Sequence, residues 1–210
     1  MANNPFGSIP PTSQLQQYNI NASGQQTGLR WELYDSASYA TGGQTGLDFF
    51  QIPLGQGSTA KTLADTNMTA AGQLPMPQQF LVTDIQVNFL AGAALSAAAG
   101  VSTIANDAQI FWQGKGWLEF FIGSAYYVQQ APILRFPPRN GLNGFGNIPS
   151  TDMFTYVVAG GAPYTMNPPI LLTPNQNFRV SLKWPAALAI TTASTVTVTL
   201  GGFLYRLASQ

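Results

Sequence analysis

From Leu29 onward, apolar and polar residues alternate along much of the chain with a period of two. Leu29, Trp31 and Leu33 are offset by Arg30, Glu32 and Tyr34. Ile85, Val87 and Phe89 alternate with Asp84, Gln86 and Asn88. The clearest case sets Phe178, Val180, Leu182 and Trp184 against Asn177, Arg179, Ser181 and Lys183. Val196, Val198 and Leu200 alternate with Thr195, Thr197 and Thr199. Successive side chains of a strand point to opposite faces, so each segment predicts a strand with one face on a core. One-sided burial belongs to antiparallel sheets, because strands of parallel sheets are covered on both faces and read as continuous apolar runs.

Other segments are apolar on both parities. Residues 47–53, 108–113, 117–122 and 125–129 are rich in Phe, Trp, Tyr and Ile and read as strands covered on both sides. Gln113-Gly114-Lys115-Gly116-Trp117 reads as a glycine turn joining two of them in a hairpin. Residues 154–158 and 169–172 are weaker strand candidates, and 139–147 reads as a long glycine–asparagine loop. At the C-terminal end the apolar parity runs Val196, Val198, Leu200 and then Phe203, Tyr205, Leu207, with Gly201-Gly202 between. A hairpin turn at the glycines and a single bulged strand both produce that switch. Helix is expected to be scarce. Residues 91–108 are alanine-rich but interrupted by Gly92, Gly100, Val101 and Thr103, and 59–71 has room for a short helix.

About eight to ten strands with long loops and little helix predict an all-β fold: an antiparallel β-sandwich, specifically a single jelly roll. The domain is assigned to residues 29–210. Residues 1–28 carry Pro5, Gly7, Pro10, Pro11 and a run of glutamines, and read as an extended N-terminal arm. Phe6, Ile9 and Leu15 are isolated apolar points on it. They serve either an arm that docks on a neighbour or a tail without a partner.

Composition narrows the function. Charged residues make up 8% of the chain and balance to a net charge of zero, against about 25% in ordinary soluble domains. A folded monomer of this mass exposes roughly 9,400 Å², hence about one charge per 590 Å². Ordinary composition gives about one per 180 Å². Interface cores are depleted in charge, and neutrality favours association, so this surface suits assembly with other subunits. A secreted protein with an uncharged Asn, Gln, Ser and Thr surface is the plainer alternative.

Cysteine and histidine are absent. That removes the usual zinc ligands, the Ser-His-Asp triad and the Cys-His pair. No catalytic, metal or cofactor residues are assigned, and no enzymatic role is expected. Residues 1–13 show neither a basic n-region nor an apolar h-region, so no signal peptide is read there. No apolar run reaches the length of a membrane span. The arm lacks the basic charge needed to wrap nucleic acid.

Several motifs bear on chemistry. Gly55-Gln56-Gly57-Ser58-Thr59-Ala60-Lys61-Thr62 approaches a phosphate-binding loop, but Ala60 stands where the glycine before the lysine belongs. Phe80-Leu81-Val82-Thr83-Asp84 imitates its partner strand. Such a loop needs a parallel α/β scaffold, so Lys61 is expected to be solvated or bonded to a carbonyl. Glu32 and Glu119 are the two glutamates available for a hydrolytic carboxylate pair. Glu32 falls on a polar face. Glu119, between Trp117 and Phe121, reads as a buried group with a perturbed pKa at a subunit contact. Trp112, Trp117, Tyr126 and Tyr127 fit a sugar platform but more ordinarily a core. Leu134-Arg135-Phe136-Pro137-Pro138-Arg139 joins two arginines, an aromatic and a stiff proline pair. It reads equally as an interface segment and as a loop capping one end of the domain.

A family resemblance lies in the C-terminal part. The apolar lead Ile170-Leu171-Leu172 is followed by Asn177-Phe178-Arg179-Val180-Ser181-Leu182. Then comes Val196-Thr197-Val198-Thr199-Leu200-Gly201-Gly202-Phe203-Leu204-Tyr205-Arg206. This layout resembles the closing strands of jelly-roll major capsid proteins of tailless icosahedral bacterial viruses, over about the last 40 residues. The resemblance implies a structural protein of the virion, made in the host cytoplasm, that self-assembles into an icosahedral shell. The implied partners are copies of itself, with room for a second capsid or penton protein and for an internal membrane beneath the shell. Direct sequence-specific nucleic-acid binding is not expected. Candidate interface residues are Phe6, Ile9, Leu15, Arg135, Phe136, Pro137, Pro138 and Arg139. Two alternatives stand beside it: another virion or appendage subunit (tail, spike or fibre), and a secreted carbohydrate-binding β-sandwich.

Overall fold

A computed structural model describes residues 26–92, 98–139, 141–147, 154–159 and 162–207. Ten strands lie among them: β1 Gln26–Tyr39, β2 Gly46–Phe49, β3 Gln79–Leu90, β4 Trp117–Ile122, β5 Ala125–Pro132, β6 Gly141–Asn147, β7 Phe154–Ala159, β8 Tyr164–Leu172, β9 Phe178–Lys183 and β10 Ser194–Leu207. One α-helix, α1 Ala98–Gln113, separates β3 from β4, and a single 3₁₀ turn, Ile133–Arg135, follows β5. Two antiparallel sheets result, in the orders β1-β10-β3-β8 and β2-β9-β4-β5, and β6 and β7 pair separately.

With β6 and β7 set aside, the pairing is nested. β1 pairs with β10, β2 with β9, β3 with β8, and β4 with β5. The chain is one long antiparallel ribbon, rolled so that successive rungs fall in alternate sheets. That is a jelly roll, as expected from the number of strands and the long loops between them. The inner faces meet in one core built from the predicted alternations, among them Leu33, Ile85, Val87, Val180, Leu182, Val196, Val198 and Leu200. β1 begins at Gln26, opposite Leu207, so its first rungs lie inside the segment read as the arm. The rest of that segment, with Phe6, Ile9 and Leu15, lies outside the described residues.

The C-terminal ambiguity resolves as one strand, but the parity switch sits elsewhere. β10 keeps an unbroken register with β1 from Ser194 to Leu207. Its register with β3 shifts at Gly201/Gly202, where Thr83 of β3 is the extra residue. The bulge therefore belongs to β3. Ile85, Val87 and Phe89 face the core on one side of it, and Phe80 and Val82 on the other. β10 continues inward through Leu204, while Phe203 and Tyr205 form a second cluster with Leu81. The expected turn of Phe203 and Tyr205 to the core is overturned. The two glycines serve close approach instead of a turn: a Cβ at Gly201 would overlap the Asp84 carboxylate, and one at Gly202 the Leu81 carbonyl.

That second cluster has a consequence at high pH. Tyr205 is buried, its hydroxyl has no hydrogen-bond partner among the described residues, and burial pushes its pKa up to about 12. The unfolded chain ionises near about 10. Between those values the folded state holds more protons, so stability is fully present below about pH 10 and is lost as pH rises toward 12. Urea melts at pH 9 and 11.5 are expected to show a loss on the order of 2 kcal/mol from this group. Tyr205→Phe is expected to reduce the slope by that amount. An unchanged slope would contradict the assignment.

Three further expectations fail. Residues 108–113 are the end of α1 and not a strand, so 113–117 joins a helix to β4 and makes no hairpin. Short apolar runs carry no period that separates a buried helix from a strand. Here tertiary packing decides. Phe111 stacks on Phe89 with centroids 4.5 Å apart and lies edge-on to Tyr39 at 6.0 Å. The buried Asp107 accepts hydrogen bonds from the Thr191 and Thr192 N–H groups at 2.8 and 3.1 Å, pinning the helix to the loop before β10. Residues 59–71 form turns and hold no helix. Finally, the glycine-rich 141–147 is strand β6, completed by β7.

Candidate assembly surface

Four of the seven acidic side chains among the described residues are buried: Asp35, Asp84, Asp107 and Glu119. Three of the four carry a cation from the same chain. Of these three, Asp35 is the most buried. Lys61 Nζ lies 2.6 Å from its Oδ1 and donates to the Ser36 carbonyl at 2.7 Å. Asp35 Oδ2 accepts from the Phe50 N–H at 2.6 Å. Phe50 stands in the left-handed region (φ 69°), a strained setting for a non-glycine residue, with its ring buried against Phe178. The carboxylate thus holds the corner after β2, and Lys61 balances it.

This geometry disposes of the phosphate-loop likeness. The loop closes on itself, with Gly55 N–H donating to the Lys61 carbonyl and Lys61 N–H to the Gln56 carbonyl. Its lysine is occupied by Asp35, and Asp84 of the imitation partner strand lies on β3, outside the sheet of β2, the strand that precedes the loop. The expected carbonyl partner of Lys61 is present, together with an ion pair that sequence reading missed.

Asp84 lies on the face of its sheet that turns away from the core. Arg30 reaches across Gly201 to its Oδ2 at 2.9 Å, and Arg139 stands 3.7 Å away. Gln86 donates to Oδ1 at 3.0 Å. On the outer face of the second sheet, Trp117 Nε1 and Gln130 Nε2 donate to Glu119 Oε1 at 2.9 and 2.7 Å. Lys183 Nζ stands 2.6 Å from Oε2. Burial alone would raise the Glu119 carboxyl. The Lys183 contact and charge, with the Trp117 and Gln130 hydrogen bonds, outweigh burial and hold it below the usual range. Glu119 is therefore buried and perturbed, as read from its neighbours. Glu32 is exposed on β1 of the opposite sheet, so the two glutamates do not form a carboxylate pair.

The segment 134–139 divides by residue. Phe136 is fully buried, packs edge-on to Tyr164, and its carbonyl accepts from the Val87 N–H beyond the end of β8. Pro138 is buried and Pro137 half-buried. Arg139 is tied to Asp84 and by its N–H to Gln86. This is the cap on the sheet, so Phe136 and Pro138 are withdrawn as interface residues. Arg135 remains exposed, beside Leu134, which is 62% exposed. Trp112 packs on the core, while Trp117 lies half-buried on the outer sheet face. The side chains of Tyr126 and Tyr127 lie outside the described residues.

With the carboxylates drawn inward, apolar groups are left at the surface. Trp31 is 45% exposed although its parity places it with Leu29 and Leu33. These residues line a groove of about 210 Å³, closed by Met68, Leu74 and Leu204. Met76 stands near it in the 67–78 loop, 69% exposed. The adjoining edge of β1 is covered from Glu32 to Ser36, because Tyr34 N–H donates to Asn67 Oδ1, Asn67 Nδ2 to the Glu32 carbonyl, and Ser36 N–H to the Asp65 carbonyl. Ile52, Leu54 and Leu63 form further exposed apolar points on the loop after β2. Comparison of the chain with protein-family models, with curated proteins and with solved structures gives no match.

Proposed function

We propose that this chain is a shell subunit, a jelly-roll capsid protein that assembles with copies of itself. The observation that carries the reading is the internal neutralisation of charge. Sixteen charged side chains, eight of each sign, are few to begin with. Burial of Asp35, Asp84, Asp107 and Glu119 leaves an outer surface with little net field to repel another copy. The nested jelly roll supports the reading without deciding it, because lectins and cupins share that architecture. The C-terminal resemblance to capsid proteins of tailless bacterial viruses adds to it. Contacts between copies bury apolar points such as Trp31 and Met76, with Arg135 and Leu134 as a second candidate edge.

Contacts of this kind are weakly screened by salt, since few charges take part. Electron microscopy and sedimentation of the purified protein are expected to show closed shells or flat arrays that persist in 1 M NaCl, about a 3 Å screening length. The double variant Trp31→Glu/Met76→Glu is expected to shift the protein to monomers with its circular dichroism unchanged. A wild-type chain that stays monomeric at high concentration would sink the reading. Open filaments would point instead to an appendage subunit.

A further inference from the structure

A second cleft, of about 340 Å³, lies at the other side of the domain between the end of α1 and β4–β5. That volume is within the range of small-ligand sites. Its walls include Trp112, Gln113, Lys115, Trp117, Gln130 and Leu134. The geometry points to a binding site for a neutral pyranose glycan in this cleft, with the Trp117 ring as stacking platform and the Gln130 amide as polar anchor.

Two wall side chains are held by one atom. Glu119 Oε1 accepts from both Trp117 Nε1 and Gln130 Nε2. The carboxylate is itself buried, with Lys183 against its other oxygen. A supporting shell of this kind removes rotamer freedom before a ligand arrives, and so lowers the entropy lost on binding.

The same hydrogen bonds select the ligand. The indole N–H of Trp117 is its sole polar atom, and Glu119 occupies it. What Trp117 offers the cleft is ring surface, whose electron-rich face attracts the C–H face of a sugar ring. Gln130 retains its carbonyl oxygen and one amide hydrogen for hydroxyl groups. A proline-rich peptide is a poorer fit, because its unbonded backbone carbonyls need donors from the groove and the indole donor is engaged. Among the described residues Lys115 is the one cation in the wall, too little for a phosphate backbone. A neutral, hydroxyl-bearing ring matches this set of groups. The site does not depend on the Trp31 and Met76 contact; it shares Leu134 with the second candidate edge, so binding is measured on the unassembled chain.

The test is a titration of the full chain with maltotriose, cellotriose and chitotriose, followed by tryptophan fluorescence and by the indole N–H resonances, beside an immobilised glycan array. Saturable binding of at least one glycan is expected, with a Kd of about 1 mM or tighter. Trp117→Ala is expected to weaken it about tenfold. Gln130→Ala, at an exposed residue that does not threaten the fold, is expected to weaken it about threefold. Glu119 acts as a positioning residue. Glu119→Gln keeps an acceptor for the indole and is expected to retain most of the affinity. Glu119→Ala is expected to move the Trp117 N–H resonance and lose about tenfold. Absence of saturable binding to every glycan would overturn the proposal. So would binding unchanged in both Trp117→Ala and Gln130→Ala, or binding at Trp117 of a peptide of residues 3–13 in place of any glycan.

Discussion

Lys61→Met is expected to lower the unfolding free energy of the unassembled chain by about 3 to 5 kcal/mol. The substitution keeps the length of the side chain and removes its charge. It leaves the Asp35 carboxylate, 1% exposed, without its cation and the Ser36 carbonyl without a donor. The carboxylate is then a buried charge without its counter-ion, so the conformation that holds it against the Phe50 N–H is destabilised. The left-handed Phe50 corner loses its restraint as a result. Urea denaturation measures the effect. The double variant Asp35→Asn/Lys61→Met is expected to recover much of the loss, because a neutral amide needs no counter-charge. A loss below about 1 kcal/mol for Lys61→Met would place the pair with ordinary surface ion pairs.

Phe111→Ala is the second large effect, at about 3 to 5 kcal/mol. The ring is buried among Phe89, Tyr39, Trp184 and Trp112, with centroid separations from 4.5 to 6.0 Å. Its removal opens a cavity lined by rigid aromatics that collapse poorly, which places the cost at the upper end. It also removes a main apolar anchor of the α1 end, leaving Asp107 to hold the helix to the loop at 191–192. Near-ultraviolet circular dichroism is expected to lose much of its aromatic signal, and amide exchange in α1 to accelerate more than in β9 or β10. Gln109→Ala, on the exposed side of the same helix, is expected to change stability by less than about 0.5 kcal/mol. Similar losses for the two variants would contradict the packing described.

Both effects rest on residues that the sequence marked without assigning. Lys61 stood out as part of a failed phosphate loop, and its buried partner Asp35 lies 26 positions earlier on an unremarkable stretch of β1. Phe111 stood out as aromatic, in a run read as a strand. For Glu119 the local signal was enough: a glutamate between Trp117 and Phe121 is drawn into an apolar face. Its relation to Lys183 was not legible, because the two meet only when β4 and β9 pair.

What the sequence by itself determined is the antiparallel sandwich. Strand periodicity is a local property, since each side chain's face follows from its neighbours one position away, and 178–183 and 195–200 declare their inner faces without any partner. The low charge and the absence of histidine and cysteine are likewise properties of the chain alone. Tertiary structure decided whatever depends on a partner distant in sequence. It made 98–113 a helix through Phe111 and Asp107, and placed the bulge in β3 because Gly201 and Gly202 of β10 lie against it. It turned Phe136 inward as the cap of a sheet edge, and drew four carboxylates to cations and N–H groups from other elements. Those choices are set by cross-strand contacts and burial, and no period along the chain encodes them.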